Sequence, residues 1–229
     1  MNKIPYLLAL LFTASLLFFY YSRDNENNDN GNPPGIGNPT PTTDPGVLIG
    51  EIDGEPIRWA TRNVYMPGTF APYPHSAGRL FQWGTLDGVT HHFDNTTLFV
   101  IDGWHDHTTA SNRVAWTAAN DPCPTGWRVP IREELVALHG AGISDLTELS
   151  GVNGRFFGTG TNRIFLPAAR LRDAGGVLGN AASNVGYYWG NTASSASNGW
   201  NLWFIRSDYS NVSGYLNRAV GISIRCVAE

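Results

Sequence analysis

The chain has 229 residues, with 15 Lys and Arg against 19 Asp and Glu, for a formal net charge of −4. That near balance leaves no basic footprint for nucleic acid. Eight tryptophans, 26 glycines and only two cysteines describe an aromatic-rich domain with many turns.

The N-terminus predicts export. Lys3, the only lysine, precedes an apolar run from Ile4 to Tyr21. Residues 1–21 therefore read as a signal peptide or signal anchor, since a spanning helix needs about 17–25 residues. Asp24, Glu26 and Asp29 follow, so the positive side stays in the cytoplasm and the remainder is delivered outside. Leu16-Leu-Phe-Phe-Tyr-Tyr-Ser-Arg-Asp-Asn-Glu26 resembles a bacterial lipoprotein signal of the Bacteroidota type. Tyr21 stands where the lipid-bearing cysteine would be, and without that thiol diacylglyceryl attachment is impossible. The expected location is the cell envelope, membrane-anchored and facing the periplasm or cell surface, where disulfides persist. Residues 22–46, rich in Asn, Pro and Gly with Ile36 as the single large aliphatic, read as a disordered tether that cannot offset the entropy of ordering.

From residue 47 onward about 180 residues remain, enough for one substantial core. Val47–Glu51 and Pro56–Thr61 flank Asp53-Gly54 and predict a hairpin. Residues 64–78 are turn-rich, Leu80–Trp83 is a short aromatic segment, and Thr97–Ile101 reads as another strand. Ile131–His139, after Pro130 and before Gly140, is the best helix, and Asp145–Leu149 suggests a further helical turn. Arg163–Leu166, Gly186–Trp189, Trp200–Ile205 and Ala219–Val227 read as strands. The expected class is α+β, with short strands, one or two helices and long ordered loops.

Cys123 lies in a proline-bracketed turn before the helix, and Cys226 ends the alternation Ile222, Ile224, Cys226. A bridge between them would tie that turn to the last strand. The alternative, two unconnected buried thiols, fits poorly with an exported chain.

An ordered set of segments carries a family resemblance: Trp59-Ala-Thr-Arg-Asn63, Gly78-Arg-Leu-Phe-Gln-Trp83, Pro122-Cys-Pro-Thr-Gly-Trp-Arg-Val-Pro130, Phe165-Leu-Pro-Ala-Ala169, Gly186-Tyr-Tyr-Trp189 and Ser223-Ile-Arg-Cys-Val227. Over residues 47–229 the chain resembles the Fibrobacter succinogenes major paralogous domain family. That family is similar to the C-type-lectin-like fold and, more distantly, to the formylglycine-generating enzyme fold. The resemblance implies a C-type-lectin-like domain in which a cysteine near the second helix pairs with one in the last strand. It brings no assigned chemistry, and the calcium-dependent sugar tripeptides Glu-Pro-Asn, Gln-Pro-Asp and Trp-Asn-Asp do not occur. Both cysteines match structural positions, so the copper chemistry of the formylglycine-generating enzymes is not expected.

Catalytic signals are weak. His91-His92 and His105-Asp106-His107 could share a metal, but no carboxylate or cysteine completes a ligand spacing, and exposed loop histidines are the simpler reading. Ser194–Ser197 lack a nucleophile motif. Glu133 and Glu134 are adjacent on the helix, point apart and read as a solvated face; Asp102 and Asp106 flank Trp104 without a visible partner. Binding is better supported. The stretch Gly175–Asn201 mixes amides with aromatics, groups suited to sugar or side-chain surfaces. The expected ligand residues are Asn184, Asn191, Asn198, Trp200 and Asn201, with Trp189 read as core. No cofactor is expected, and the expected partner is a glycan or an envelope protein. The alternatives are a hydrolase-like enzyme with a site of dispersed residues, or a structural envelope or pilus-tip component.

Overall fold

The computed structural model describes residues 41–90, 104, 113–179, 184–205 and 210–229, within a compact unit spanning Thr40–Glu229. The anchor segment, Thr97–Ile101, Asp102, Asp106 and the histidines at 91, 92, 105 and 107 lie outside the described residues. Among the described residues no helix is long and apolar enough to cross a membrane.

The domain is built mostly of antiparallel sheets with one short helix. β1 (Val47–Ile52) and β2 (Glu55–Trp59) form the expected hairpin. Asp53 and Gly54 both have positive φ, 53° and 84°, as a two-residue turn matched to the twist of its strands requires. The sheet continues from β2 to β13 (Val227–Ala228) and then β5 (Trp127–Arg128). The last strand thus lies between the first hairpin and the segment leading from Cys123 to the helix. A second sheet has the order β11 (Ser210–Asn217), β10 (Asn198–Phe204), β9 (Gly186–Ala193). A third joins β12 (Gly221–Ile222), β3 (Arg79–Gln82) and β4 (Gly88–Thr90), and a fourth β6 (Thr147–Leu149), β7 (Val152–Thr159) and β8 (Asn162–Pro167).

Two expectations fail here for local reasons. Asp145–Leu149 is no helical turn: residues 147–149 form β6, because Ser150 and Gly151, both at positive φ, fold them back onto β7. The expected single strand over 219–227 is divided. Ser223 bonds β9 through Trp189 N–H, while the carbonyls of Ile224 and Cys226 accept from Val64 and Ala60. One segment therefore serves several neighbours in turn.

α1 (Arg132–Gly140) begins at Ile131, whose N–H donates to the Glu134 carboxylate at 2.8 Å. The same carboxylate receives both Arg128 Nη atoms, at 2.9 and 2.6 Å. Glu133 and Glu134 do point apart, but they are not a solvated face: Glu134 is buried and Glu133 exposed. A carboxylate that caps its own helix and takes a bidentate guanidinium is stable when buried.

The hairpin β9–β10 separates two cores. Tyr188, Leu202 and Phe204 join Leu135 and Leu138 of α1 with Trp59, Phe157 and Leu166. On its other face Trp189 packs with Phe81, Trp83, Trp116, Ile222 and Ile224 around the Cys123–Cys226 disulfide, whose Cα atoms are 6.1 Å apart. The bridge expected from sequence is present and closes a separation of 103 residues. Trp189 is core, as expected: it is fully buried and its indole donates to Phe81 O at 2.8 Å.

Loops between these sheets are held by arginine. Arg225, fully buried, donates to Asn63 Oδ1, Ala60 O and Phe165 O at 2.9, 3.1 and 3.0 Å. Arg155 reaches Ser144 O and Ile205 O, Arg172 reaches Gly176 O, and Arg218 reaches Arg113 O and Ser195 O. A guanidinium carries five fixed donors and satisfies carbonyls that no strand partner reaches. Burial lowers the pKa of Arg225 to about 10, partly offset by Tyr188 and Asp44, so it remains charged at neutral pH. The end of the expected tether is likewise held. Asp44 accepts from Gly46 N, Thr61 N, Thr61 Oγ1 and Arg62 Nε at 2.8–3.0 Å.

Candidate binding platform at the open end of the β10–β11 face

The side-chain directions along β10 follow from its neighbours. A Cβ on Gly199 would meet Trp83 at 2.6 Å, so residue 199 faces the disulfide core. Asn198 and Trp200, one position to either side, face the opposite way, toward α1. There α1 runs along β10. Arg132, its first residue, lies over Trp200, with the guanidinium carbon 4.4 Å from the ring centroid. At the other end His139 Nε2 lies 3.0 Å from Ser210 Oγ, beside Phe204.

The helix is too short to cover this face. Nine helical residues span about 13.5 Å at 1.5 Å each, whereas the seven residues of β10 span about 23 Å. The uncovered end bears two cross-strand pairs: Asn198 opposite Asn217, and Trp200 opposite Tyr215. The two rings meet edge to face, centroids 6.4 Å apart and planes at 88°. Tyr215 is 61% exposed, the most exposed aromatic ring among the described residues, and Trp200 is half-buried. The Asn198 amide makes no hydrogen bond among the described residues, while Asn217 Oδ1 accepts from Ala219 N at 2.9 Å.

The five expected ligand residues therefore separate. Asn198 and Trp200 come together on this platform. Asn201 lies on the opposite face of the same strand, 1% exposed, with neither amide atom hydrogen-bonded among the described residues. Asn191 is half-buried, and both ends of its amide are taken by the backbone of Trp116: Oδ1 accepts from N at 2.7 Å and Nδ2 donates to O at 2.9 Å. It fastens the 113–120 segment to β9. Asn184 accepts from Asn153 Nδ2 at 3.0 Å. The expected long loop Gly175–Asn201 is largely the β9–β10 hairpin, with 194–197 as its turn.

Arg132, Tyr215 and Asn217 were missed. Arg132 reads as an ordinary helix-start cation, and Tyr215 sits in β11, whose Ser-Asn-Val-Ser-Gly start carries no strand pattern. The alternation Tyr215, Asn217 against Asn198, Trp200 was the available signal, had the hairpin register been considered.

Other chemistry is sparse. Among the described residues no three His, Cys, Asp or Glu side chains cluster as a metal site. His139 and Ser210 lie within hydrogen-bond distance, but a nucleophile–base relay also needs a group orienting the base, and no described carboxylate bonds His139. Trp104 is seated against Gly176 and Gly221, and its indole donates to Ala174 O at 3.1 Å. Asp121 accepts from Cys123 N and Val129 N at 2.9 and 3.0 Å. Burial raises its pKa against these bonds, as expected for a carboxylate that shapes the disulfide turn.

Comparisons with protein-family models, curated proteins and solved structures found no match.

Proposed function

We propose that this is an exported, envelope-tethered, non-catalytic binding domain whose ligand is a glycan, engaged at the Asn198–Trp200–Tyr215–Asn217 platform. One observation carries the reading: the exposed Tyr215 and the half-buried Trp200 pair directly beside an amide pair, toward the end of β10 beyond the start of α1. Aromatic faces pack on the apolar faces of sugar rings, and amides donate to and accept from hydroxyls at once. The apolar N-terminal run and acidic flank support delivery to the cell envelope.

The reading extends to the fold. The Trp59–Asn63, Gly78–Trp83, Pro122–Pro130 and Ser223–Val227 segments favour the Fibrobacter succinogenes major paralogous domain family and its C-type-lectin-like architecture. The Cys123–Cys226 bridge and the short sheets around one helix agree with that assignment.

A glycan-array screen with the full chain tests the function. Binding without turnover that disappears in Trp200→Ala and Tyr215→Ala, at an unchanged melting midpoint, is the expected result. Stoichiometric capture of an envelope protein with no glycan retained would replace it with the docking alternative, and turnover of a bound glycan would replace it with the enzyme alternative.

A further inference from the structure

Arg132 differs from the buried arginines of the domain. Arg155, Arg172, Arg218 and Arg225 direct their guanidinium donors at backbone carbonyls. The guanidinium of Arg132 makes no hydrogen bond among the described residues. Its nearest charge among the described residues is the Glu133 carboxylate at 3.9 Å, on a side chain 55% exposed. The group is held over Trp200, which orients its donors without using them.

Resting on the glycan reading above, we infer that the platform selects an acidic sugar, a uronate-type residue whose ring packs on the Trp200–Tyr215 pair and whose carboxylate is received by Arg132. Two features support a carboxylate. The planar fork of arginine matches it in a bidentate pair. The exposed Glu133 side chain, held at ion-pair distance without a hydrogen bond, is readily displaced by a better-placed anion. A neutral sugar offers the Arg132 donors only uncharged hydroxyl acceptors, without the bidentate, charge-assisted pair. An acidic peptide would match Arg132 but gain nothing from the aromatic and amide pairs beside it.

The test is titration calorimetry of the full chain with oligomers of galacturonate, glucuronate and mannuronate, each against its methyl ester, which keeps the sugar ring and removes the charge. At least one acid form should bind tenfold or more tightly than its ester. Arg132→Gln should bring the acid down to the ester's affinity and leave the ester unchanged, at the same melting midpoint. Arg132→Lys, which keeps charge without the fork, should recover only part, and Glu133→Gln should strengthen acid binding about twofold, as loss of one exposed competing charge allows. Equal binding of acid and ester, or an Arg132→Gln loss of the same size for both, overturns the inference while the glycan reading stands. Polyglutamate binding as tightly as the best oligouronate overturns the sugar specificity. If no acidic or neutral oligosaccharide binds, both readings fall.

Discussion

Two tryptophans on neighbouring strands, Trp189 and Trp200, show how differently the two faces of one hairpin are used. Asn201 is the register partner of Trp189, so the two rings start one position apart and emerge on opposite sides. Trp189 enters the disulfide core, is fully buried and gives its N–H to Phe81 O. Trp200 emerges where α1 begins, lies beneath Arg132 and meets Tyr215 by its edge. The arginines of the two regions differ in the same way: Arg225 gives three hydrogen bonds to acceptors in the interior, whereas the Arg132 guanidinium makes none among the described residues. Trp189 and Arg225 bond interior carbonyls, whereas the Arg132 guanidinium and the Asn198 amide make no hydrogen bond among the described residues. An aromatic residue or arginine in this domain is thus interpretable only by the face it occupies.

That contrast can be broken by mutation. Trp189→Ala should cost the most, about 3–5 kcal/mol, as a large cavity opens beside the disulfide; chemical denaturation measures it. A cost below about 1 kcal/mol would remove Trp189 from the core. Cys123→Ser with Cys226→Ser should cost about 2–4 kcal/mol, as for a bridge closing a long loop, and should lower the midpoint without moving the platform. Asn191→Ala should cost about 1–3 kcal/mol, because the Trp116 N–H and C=O lose their partner. An Asn191→Ala variant as stable as the parent, but unable to bind, would return that residue to the ligand set.

The acid limb of stability sharpens the same division. Burial of Asp44 favours its neutral form, but hydrogen bonds from Thr61, Gly46 and Arg62 outweigh it and lower its pKa below 3.8. A carboxylate with a depressed folded pKa stabilises fully above its unfolded value and loses that contribution as pH falls through the folded one. Asp44→Asn should therefore be less stable than the parent at neutral pH, with the gap closing below about pH 3.8. A gap that persists at pH 2 would show that geometry, not charge, holds the 41–46 segment. Smallest of all should be Tyr215→Ala, within about 0.5 kcal/mol in stability, while ligand binding is lost. The size of the effect on folding and the size of the effect on binding are expected to run in opposite order across these variants.

Much of the local structure was legible in the residues themselves. Asp53-Gly54 between two alternating runs specifies a hairpin because both turn residues must adopt positive φ, which Gly and Asp tolerate. Pro130 lies just before α1, where it cannot continue a helix upstream, and Gly140 is the last residue of α1, where it readily ends the helix. The cysteine flanks, a turn before the helix and the end of the last apolar alternation, anticipated the bridge that joins residues 123 and 226. On the candidate site, Asn198 and Trp200 were identified by chemical type alone.

What tertiary structure decided was direction and partnership. Asn191 and Asn198 are the same residue type on one hairpin, yet one amide is closed by the Trp116 backbone and the other is left open. Nothing in their local sequence distinguishes them, since Trp116 is 75 residues away in sequence from Asn191. Tyr215 joins the candidate platform only by pairing across to Trp200. Local pattern sets which backbone a segment can adopt, because propensity and turn chemistry act over a few residues. Which polar groups remain unspent depends on contacts between distant segments, and only the packed fold assigns those.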